Sequence, residues 1–223
     1  MSSIWNTQKS STESKRVWGS IRPEPQQQVV NPNASTFETQ HVYKAIPVFS
    51  TILADHVEFN NYLKQVILEH RQNNPESTKS NVKAWHSSWQ THDENPKFQP
   101  LVDRVIDACK FISKGYYEGD NDLEYKVLNL WAMMYEDTEW TKRHSHFPCD
   151  FACCYYVDVE PGCAPVIFES VQKDGTNDNN QPLTLQPQNG MLAIWPAILH
   201  HEVPPTKGRR MCISMNIDKG EKK

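Results

Sequence analysis

The sequence lacks a long apolar run, a strongly basic segment and the pattern of an export signal. Its 223 residues carry 23 lysines and arginines against 27 aspartates and glutamates, which gives a formal net charge of −4. This balance does not favour a nucleic-acid partner, which would need a basic patch. No apolar stretch approaches the roughly 18 residues of a membrane helix, and the first residues are polar, unlike a signal peptide. We therefore expect a cytoplasmic protein that binds neither nucleic acid nor a membrane.

The sequence also lacks a CxxC pair, the spacing that is common in zinc sites. It contains six cysteines, and two of them, Cys153 and Cys154, are adjacent. Neighbouring residues of a strand point to opposite faces, so this pair is poorly placed to share an ion. With no export signal, we expect free thiols in a reducing compartment.

Residues 1–40 are poor in aliphatic side chains and rich in Ser, Thr, Gln, Asn and Pro. Such a composition buries too little apolar surface to offset the entropy of ordering, so we predict a flexible N-terminal tail. The rest of the chain, 41–223, is long enough for one domain with a core of its own. We find no internal repeat.

Helical periodicity is confined to the first part of this domain, 41–124. Apolar residues recur at helical spacing from about Asp55 to Arg71 and again from Phe98 to Ser113, which predicts two amphipathic helices that support the remainder. Four histidines of this part show no catalytic spacing, and we expect ordinary surface or local hydrogen-bonding roles for them: His56, His70, His86 and His92.

From Tyr125 the helical period disappears and short β-like runs follow one another over 125–218. Polar turns such as Gln188-Asn189-Gly190 separate them. The runs are YKVLNLWAMMY, FACCYYVDV, APVIFES, PLTLQP, GMLAIWP and RRMCISMNI. Short strands without intervening helices favour an antiparallel sandwich or barrel, so we predict an α+β fold with a β-barrel core.

Histidines cluster in the barrel part, at His144 and His146 and again at His200 and His201. Residues i and i+2 of an extended segment point to one face, so His144 and His146 can face the same point. Strands about fifty residues apart become neighbours in a double-stranded barrel, which would bring a third histidine to this pair. Three ligands on one face of a metal are typical of iron(II) oxygenases, which mostly use two histidines and a carboxylate. We favour His144, His146 and His201, with Asp150 as an alternative ligand.

The last predicted strand contains an arginine among inward-facing polar residues. Alternation places Arg210, Cys212, Ser214 and Asn216 on one face. A buried guanidinium is costly unless it meets an anion, and its fork matches a carboxylate in two parallel hydrogen bonds. The anion is either a dicarboxylate cosubstrate, with Ser214 as an additional donor, or an internal acid such as Glu169.

These residues together resemble the 2-oxoglutarate/Fe(II) dioxygenase superfamily, in particular its prolyl-hydroxylase-like branch and a group of uncharacterised phage and bacterial oxygenases. The matching stretches are HSHFPCDFACCYYVD and HHEVPPTKGRRMCIS, in which Arg210 follows His201 by nine residues. The resemblance extends over roughly Ile46 to Asp218, including SNVKAWHSSW. It implies a double-stranded β-helix, also called a jelly roll or cupin-like barrel, behind N-terminal helices. It also makes His201, not His200, the ligand, and leaves a virus-encoded origin open.

The resemblance further implies Fe(II) on His144, His146 and His201, with 2-oxoglutarate held by Arg210, Ser214 and Tyr156, and O2 as the oxidant. One position departs from the family, because His146 stands where the family usually has aspartate. The candidates for orienting the ligands are Asp150, Glu202 and Tyr135, and those for lining the cavity or packing in the core are Trp131, Trp140 and Trp195.

The predicted function is therefore hydroxylation coupled to oxidative decarboxylation of 2-oxoglutarate, with a prolyl residue as one candidate target. The substrate class stays open between a small molecule, a peptide and a protein, and the oligomeric state is not readable from the sequence. Two alternatives remain. A cupin-type metalloprotein would need no 2-oxoglutarate, and a catalytically silent binding or structural module would reuse the fold alone.

Overall fold

The computed structural model describes residues 46–75, 79–116, 124–169 and 182–220. All of them belong to one compact unit, Ile46–Lys223. The predicted tail over 1–40 lies outside the described residues, so the tail and the domain boundaries stay predictions.

The helices lie in the first half of this unit, where the apolar periodicity places them. Helix α1 spans His56–Asn73, α2 is the single turn Thr91–Glu94, and α3 spans Gln99–Tyr116. A 3-10 turn, Pro96–Phe98, leads into α3, and the Asn95 side chain accepts the Lys97 N–H at its start. The apolar faces of α1 and α3 are buried, Leu63 and Leu101 completely.

Eleven strands in the described ranges form two antiparallel sheets. They are β1 (Phe49–Ile52), β2 (Val82–Lys83), β3 (Trp85–His86), β4 (Tyr125–Tyr135), β5 (Trp140–His144), β6 (Phe151–Val159), β7 (Val166–Phe168), β8 (Leu183–Leu185), β9 (Met191–Pro196), β10 (His201–Val203) and β11 (Arg210–Lys219). The six-stranded sheet has the order β1-β9-β6-β11-β4-β3, and the five-stranded sheet β2-β5-β10-β7-β8. This is the predicted double-stranded β-helix, and the α+β class is confirmed.

Alternation along β11 divides the apolar interior into two cores. Met211, Ile213 and Met215 face the helices, in a core shared with α1 and α3. Cys212 belongs to a second core between the two sheets, together with residues of β4, β6 and β9. Arg210 and Ser214 share the face of Cys212, as the strand period of two requires. The face of β11 that carries Arg210, Cys212 and Ser214 is therefore directed into the space between the two sheets.

Among the described residues, no helix is long and apolar enough to cross a membrane. All six cysteines are free thiols, and four of those in strands or loops of the barrel are buried: Cys153, Cys154, Cys163 and Cys212.

Candidate metal and cosubstrate site

Three histidines meet at one end of the five-stranded sheet. His144 is the last residue of β5 and His201 the first of β10, and the two are direct cross-strand partners. His146 follows β5 in a loop, where its backbone N–H donates to the Ala197 carbonyl at 2.9 Å. The nitrogen atoms that the three rings offer all lie within 4.8 Å of one another. Their ring centroids are 4.5 to 5.1 Å apart.

Backbone hydrogen bonds orient two of these rings. His144 Nδ1–H donates to the Lys142 carbonyl at 2.8 Å, and His201 Nδ1–H donates to the Leu199 carbonyl at 3.1 Å. Because a carbonyl only accepts, Nδ1 carries the proton and Nε2 keeps its lone pair for a metal. Fixing the tautomer through the other ring nitrogen is common for metal-binding histidines.

The surroundings favour the neutral form of all three rings. Burial lowers the pKa of His146 to about 3, and the charge of His144 acts in the same direction. Burial, reinforced by its two histidine neighbours, lowers the pKa of His201 well below its usual value. The pKa of His144 is lowered as well, chiefly by burial. Neutral imidazoles bind metals, so the donor set fits a divalent transition metal such as Fe(II).

The other candidate ligands lie elsewhere. Asp150 is exposed, and its carboxylate accepts the backbone N–H of Lys219 at 2.8 Å, so it is not part of the cluster. His200 is exposed and outside the cluster too. Tyr135 hydrogen-bonds Thr141 at 2.6 Å, and backbone carbonyls orient the rings of His144 and His201. No described hydrogen bond joins Tyr135, Asp150 or Glu202 to a ring of the cluster.

Arg210 is the buried cation of the site, with only 3% of its surface exposed. One guanidinium nitrogen donates to the Ala164 carbonyl at 3.1 Å, and the group lies 4.5 Å from the centroid of the Tyr135 ring. In the part of the chain that the structure describes, Nε of Arg210 has no acceptor and no carboxylate pairs with it. Glu169, the internal acid considered above, pairs with the exposed Arg143 instead.

Two further predicted residues lie beside Arg210. Ser214 is buried on the same face of β11 and lines the same cavity. Tyr156 is fully buried with its ring 5.7 Å from the guanidinium, and its O–H has no partner among the described groups. Although burial raises the pKa of the nearby Cys154 thiol, a hydrogen bond with Cys212 and the charge of Arg210 lower it overall. Unsatisfied buried donors around a fixed positive charge fit the distal carboxylate of 2-oxoglutarate.

One cavity of about 410 Å³, the central cavity, joins the two halves of the site. It is lined by the three histidines, by Arg210 and by Ser214. Trp131 and Trp195 line it as predicted, whereas Trp140 does not and has the Lys142 ammonium over its ring. Trp195 and Phe168 shield His201, with ring centroids 5.0 and 5.6 Å from the imidazole.

The sequence reasoning missed several residues of the cavity lining, among them three polar or aromatic residues from outside the histidine cluster. His86, for which we expected an ordinary role, is 1% exposed and lines the cavity together with Trp89 and Asn216. Asn216 had a signal, since it shares the inward face of β11. His86 and Trp89 come from a short irregular segment, and no periodicity marks them.

Fold and site together define a double-stranded β-helix with a candidate three-histidine metal site. The model of the family described as putative 2OG-Fe(II) oxygenase matches residues 129–216, which contain the three histidines and Arg210. Over these residues the chain is similar to the 2-oxoglutarate/Fe(II) dioxygenase superfamily. Fe(II), 2-oxoglutarate and O2 are the cofactor, cosubstrate and oxidant of that superfamily. No curated protein sequence matches the chain significantly.

Solved structures share the fold at low sequence identity. A prolyl-4-hydroxylase from Pseudomonas putida has a TM-score of 0.56 and 12% identity, over 78% of this chain and 94% of that one. A prolyl hydroxylase from Trichoplax adhaerens, in complex with a hypoxia inducible factor peptide fragment, has a TM-score of 0.54 and 14% identity, over 78% and 83%. A non-haem alpha-ketoglutarate-dependent carbocyclase from nogalamycin biosynthesis has a TM-score of 0.59 and 9% identity, over 77% and 79%.

Proposed function

We propose that the chain hydroxylates a peptide or small-molecule substrate with O2, coupled to the decarboxylation of 2-oxoglutarate. The observation that carries the proposal is the central cavity itself. It holds three neutral histidines at one end of the five-stranded sheet and a buried arginine without a carboxylate on the facing sheet. A cupin-type metal site accounts for the histidines but leaves Arg210 without a purpose.

Each group of the site has a distinct task in this proposal. His144, His146 and His201 present neutral nitrogen atoms to Fe(II), which supplies the oxidising chemistry when bound with 2-oxoglutarate and O2. Arg210, Ser214 and Tyr156 hold the distal carboxylate of 2-oxoglutarate and so orient it toward the histidines. Trp195 and Phe168 exclude water from His201. The overall reaction converts substrate, 2-oxoglutarate and O2 into hydroxylated substrate, succinate and CO2.

The fold does not select the substrate, since prolyl hydroxylases and a carbocyclase share it. Two of the named similar structures are prolyl hydroxylases, one of them with a bound peptide fragment. A prolyl residue in a peptide is therefore the first substrate to assay.

The test is an anaerobic titration of the metal-free protein with Fe(II) and then with 2-oxoglutarate, followed by visible absorption. We expect a weak charge-transfer band of the iron–2-oxoglutarate chelate. The band should disappear in His201→Ala and Arg210→Ala but persist in the neighbouring controls His200→Ala and Arg209→Ala, both exposed. Iron binding without a band would support the cupin-type alternative. Absence of metal binding would leave only a non-catalytic module.

A further inference from the structure

The mouth of the central cavity contains residues that neither the metal nor 2-oxoglutarate requires. His86, Trp89 and Trp131 form one side, which we call the aromatic wall. His86 and Trp89 lie before residue 129 and thus outside the segment that matches the oxygenase family. Two of the three residues of the aromatic wall thus lie outside that segment, whereas the three histidines and Arg210 lie within it.

The aromatic wall is a tightly packed set of rings. His86 stacks on Trp131 with an interplanar angle of 7°, and Trp89 stands edge-on to both rings with centroids 4.6 Å away. Trp131 in turn approaches the His146 ring at 5.7 Å. The wall thus extends from the metal-binding histidines to the cavity mouth.

Backbone hydrogen bonds hold the wall in place. The Ser87 N–H donates to the Ala132 carbonyl at 2.9 Å, and the Leu130 N–H donates to the Trp89 carbonyl at 3.0 Å. The segment carrying His86 and Trp89 is therefore fastened to β4 on both sides of Trp131. A ring held in this way loses little conformational entropy when a ligand packs against it.

Trp89 differs from the other members of the wall in its exposure. Trp131 is 3% exposed, as expected of a packing residue, whereas Trp89 is 40% exposed although it is anchored at its backbone. Phe147, which lines the same cavity, is 70% exposed. Large apolar rings left open around a cavity are typical of ligand-binding surfaces.

The charge of the cavity lining restricts the ligand. Within the described residues the lining contains no carboxylate, and Arg210 is its sole permanently charged side chain. Burial lowers the pKa of His86 to about 4, so this ring is neutral at physiological pH. A cationic group would find no counter-charge here, and the carboxylate of 2-oxoglutarate already satisfies Arg210. The remaining space therefore suits an uncharged group.

A chain of amide groups supplies a hydrogen-bond acceptor. Asn216 Nδ2 donates to Asn129 Oδ1 at 3.1 Å, and Asn129 Nδ2 donates at 3.0 Å to the Gln90 oxygen when that amide has the orientation that satisfies its neighbours. Because Asn216 uses its Nδ2 as the donor, its Oδ1 is the free acceptor at the start of this series of hydrogen bonds. The atom is buried and accepts no hydrogen bond from any described group, although Asn216 lines the cavity. A buried acceptor of this kind favours a ligand that donates.

We propose that Trp89 and Asn216 form a substrate subsite for an uncharged, flat group that carries an N–H donor, as an aromatic amide does. The flat face packs on Trp89, and the N–H donates to Asn216 Oδ1. As a substrate subsite it rests on the function proposed above, and it narrows the substrate to molecules that present such a group next to the bond that is oxidised.

Four small probes of nearly equal size test the chemistry of the subsite. Benzamide has the flat ring, the N–H donor and no charge. Acetophenone lacks the donor, cyclohexanecarboxamide lacks the flat ring, and benzamidine is a cation. We measure their dissociation constants by ligand-observed NMR on the metal-free full-length protein with 2-oxoglutarate present. Benzamide should bind about tenfold more tightly than each of the other three. Equal binding of all four would overturn the proposal.

Variants connect this preference to the two residues. Trp89→Leu should weaken benzamide binding about tenfold, whereas Trp89→Phe should change it by about twofold at most. The matched control is Trp140→Leu, since Trp140 does not line the cavity and should leave all four constants unchanged. Asn216→Asp puts a negative charge at the acceptor and should reverse the preference in favour of benzamidine. A Trp89→Leu protein that binds benzamide as wild type, or an Asn216→Asp protein with the wild-type preference, would contradict the subsite.

The charge-transfer band reports on the proposed function alone, so it shows whether a failed test contradicts the subsite or the oxygenase function. The band should form in Trp89→Leu, because the described ring contacts of Trp89 are with His86, Trp131 and Lys79, and not with the three clustered histidines or Arg210. A normal band with unchanged benzamide binding in Trp89→Leu would refute the subsite and leave the oxygenase intact. If the protein binds benzamide selectively but forms no band, the binding site is supported and the oxygenase function is refuted.

Discussion

Arg210 has properties of a binding residue more than of a stabilising one. A buried guanidinium with one carbonyl acceptor and two aromatic neighbours is only partly compensated for its lost hydration. A structural arginine in such a position would have an internal carboxylate, and Glu169 is bound to Arg143 instead. The protein thus keeps a residue that costs stability in the ligand-free state.

This argument predicts opposite effects of Arg210→Met on stability and on binding. We expect the free energy of unfolding of the ligand-free protein to rise by about 1 kcal/mol, because an apolar side chain of similar length replaces a poorly paired buried charge. The affinity for 2-oxoglutarate should fall by about 100-fold or more. Urea unfolding and calorimetric titration measure the two quantities. Arg209→Met is the control, since Arg209 is exposed and paired with Glu160. A large loss of stability in Arg210→Met would mean that the residue is structural.

His86 gives a second prediction, on the pH dependence of stability. Its pKa is lowered to about 4 in the folded protein, first of all by burial, against about 6.5 in the unfolded chain. Between these values only the unfolded state takes up the proton, so the free energy of unfolding falls as pH falls from 6.5 toward 4. Above about pH 6.5 the ring is neutral in both states, so it adds no pH dependence to the free energy of unfolding.

His86→Phe removes this titration and keeps a flat ring against Trp131. The loss of stability between about pH 7 and about pH 4.5 should be smaller than in the wild type by about 2 kcal/mol. Urea unfolding at several pH values measures the difference, and His200→Phe, at an exposed position, should follow the wild-type curve. Parallel curves for His86→Phe and the wild type would show that His86 does not titrate as its burial requires.

The strands differ in how well the sequence predicts them. β4 and β6 coincide with the runs YKVLNLWAMMY and FACCYYVDV, because long apolar and β-branched segments bury both faces. β5 and β10 were not predicted as strands: they have five and three residues and include charged side chains. Their pairing nevertheless makes His144 and His201 direct neighbours. The clustering of the three histidines was thus readable from motif spacing, whereas the strand pairing that aligns two of them comes from tertiary structure.

The turn before β9 was predicted from its sequence, and its glycine is required for two reasons. Gly190 has a φ of +78°, and a Cβ there would lie 2.2 Å from His56 Cβ on α1. The Gly190 N–H also donates to the Tyr156 carbonyl at 2.8 Å, and the Gly190 carbonyl accepts the Leu53 N–H at 3.0 Å. The turn therefore fixes β1, β6 and the start of α1 relative to one another.

Gly190→Ala should lower the free energy of unfolding by about 2–4 kcal/mol, through backbone strain and the contact with His56. Gly115→Ala is the matched comparison, since Gly115 lies in α3 and a Cβ there meets nothing within 4 Å. That variant should gain about 0.5–1 kcal/mol from helix propensity. Urea unfolding of both proteins checks the signs. Equal stability of the two variants would show that the turn relaxes without cost.

At the scale of the whole molecule, the site is shared between the two sheets. His144 and His201 belong to the five-stranded sheet, whereas Arg210 and Ser214 belong to the six-stranded sheet. A sequence pattern indicates which strands face a core, but not which residues of different sheets meet across it. The aromatic wall illustrates this limit, since the short segment that contains His86 and Trp89 reaches the cavity only through its attachment to β4.

A ligand that binds to both sheets should stabilise the molecule cooperatively. In the proposed function, a metal on the histidines and 2-oxoglutarate on Arg210 contact each other across the cavity, so each should raise the affinity for the other by the same factor. Mn(II) serves as a metal that does not react with O2 under these conditions. Each ligand alone, at about 100 times its dissociation constant, should raise the free energy of unfolding by about 2.7 kcal/mol. Both ligands together should raise the free energy of unfolding by about 1–3 kcal/mol more than the sum of the two separate increases. In Arg210→Met only the Mn(II) increment should remain. Strictly additive increments in the wild type would mean that metal and 2-oxoglutarate bind at independent sites, which the shared cavity between the sheets does not allow.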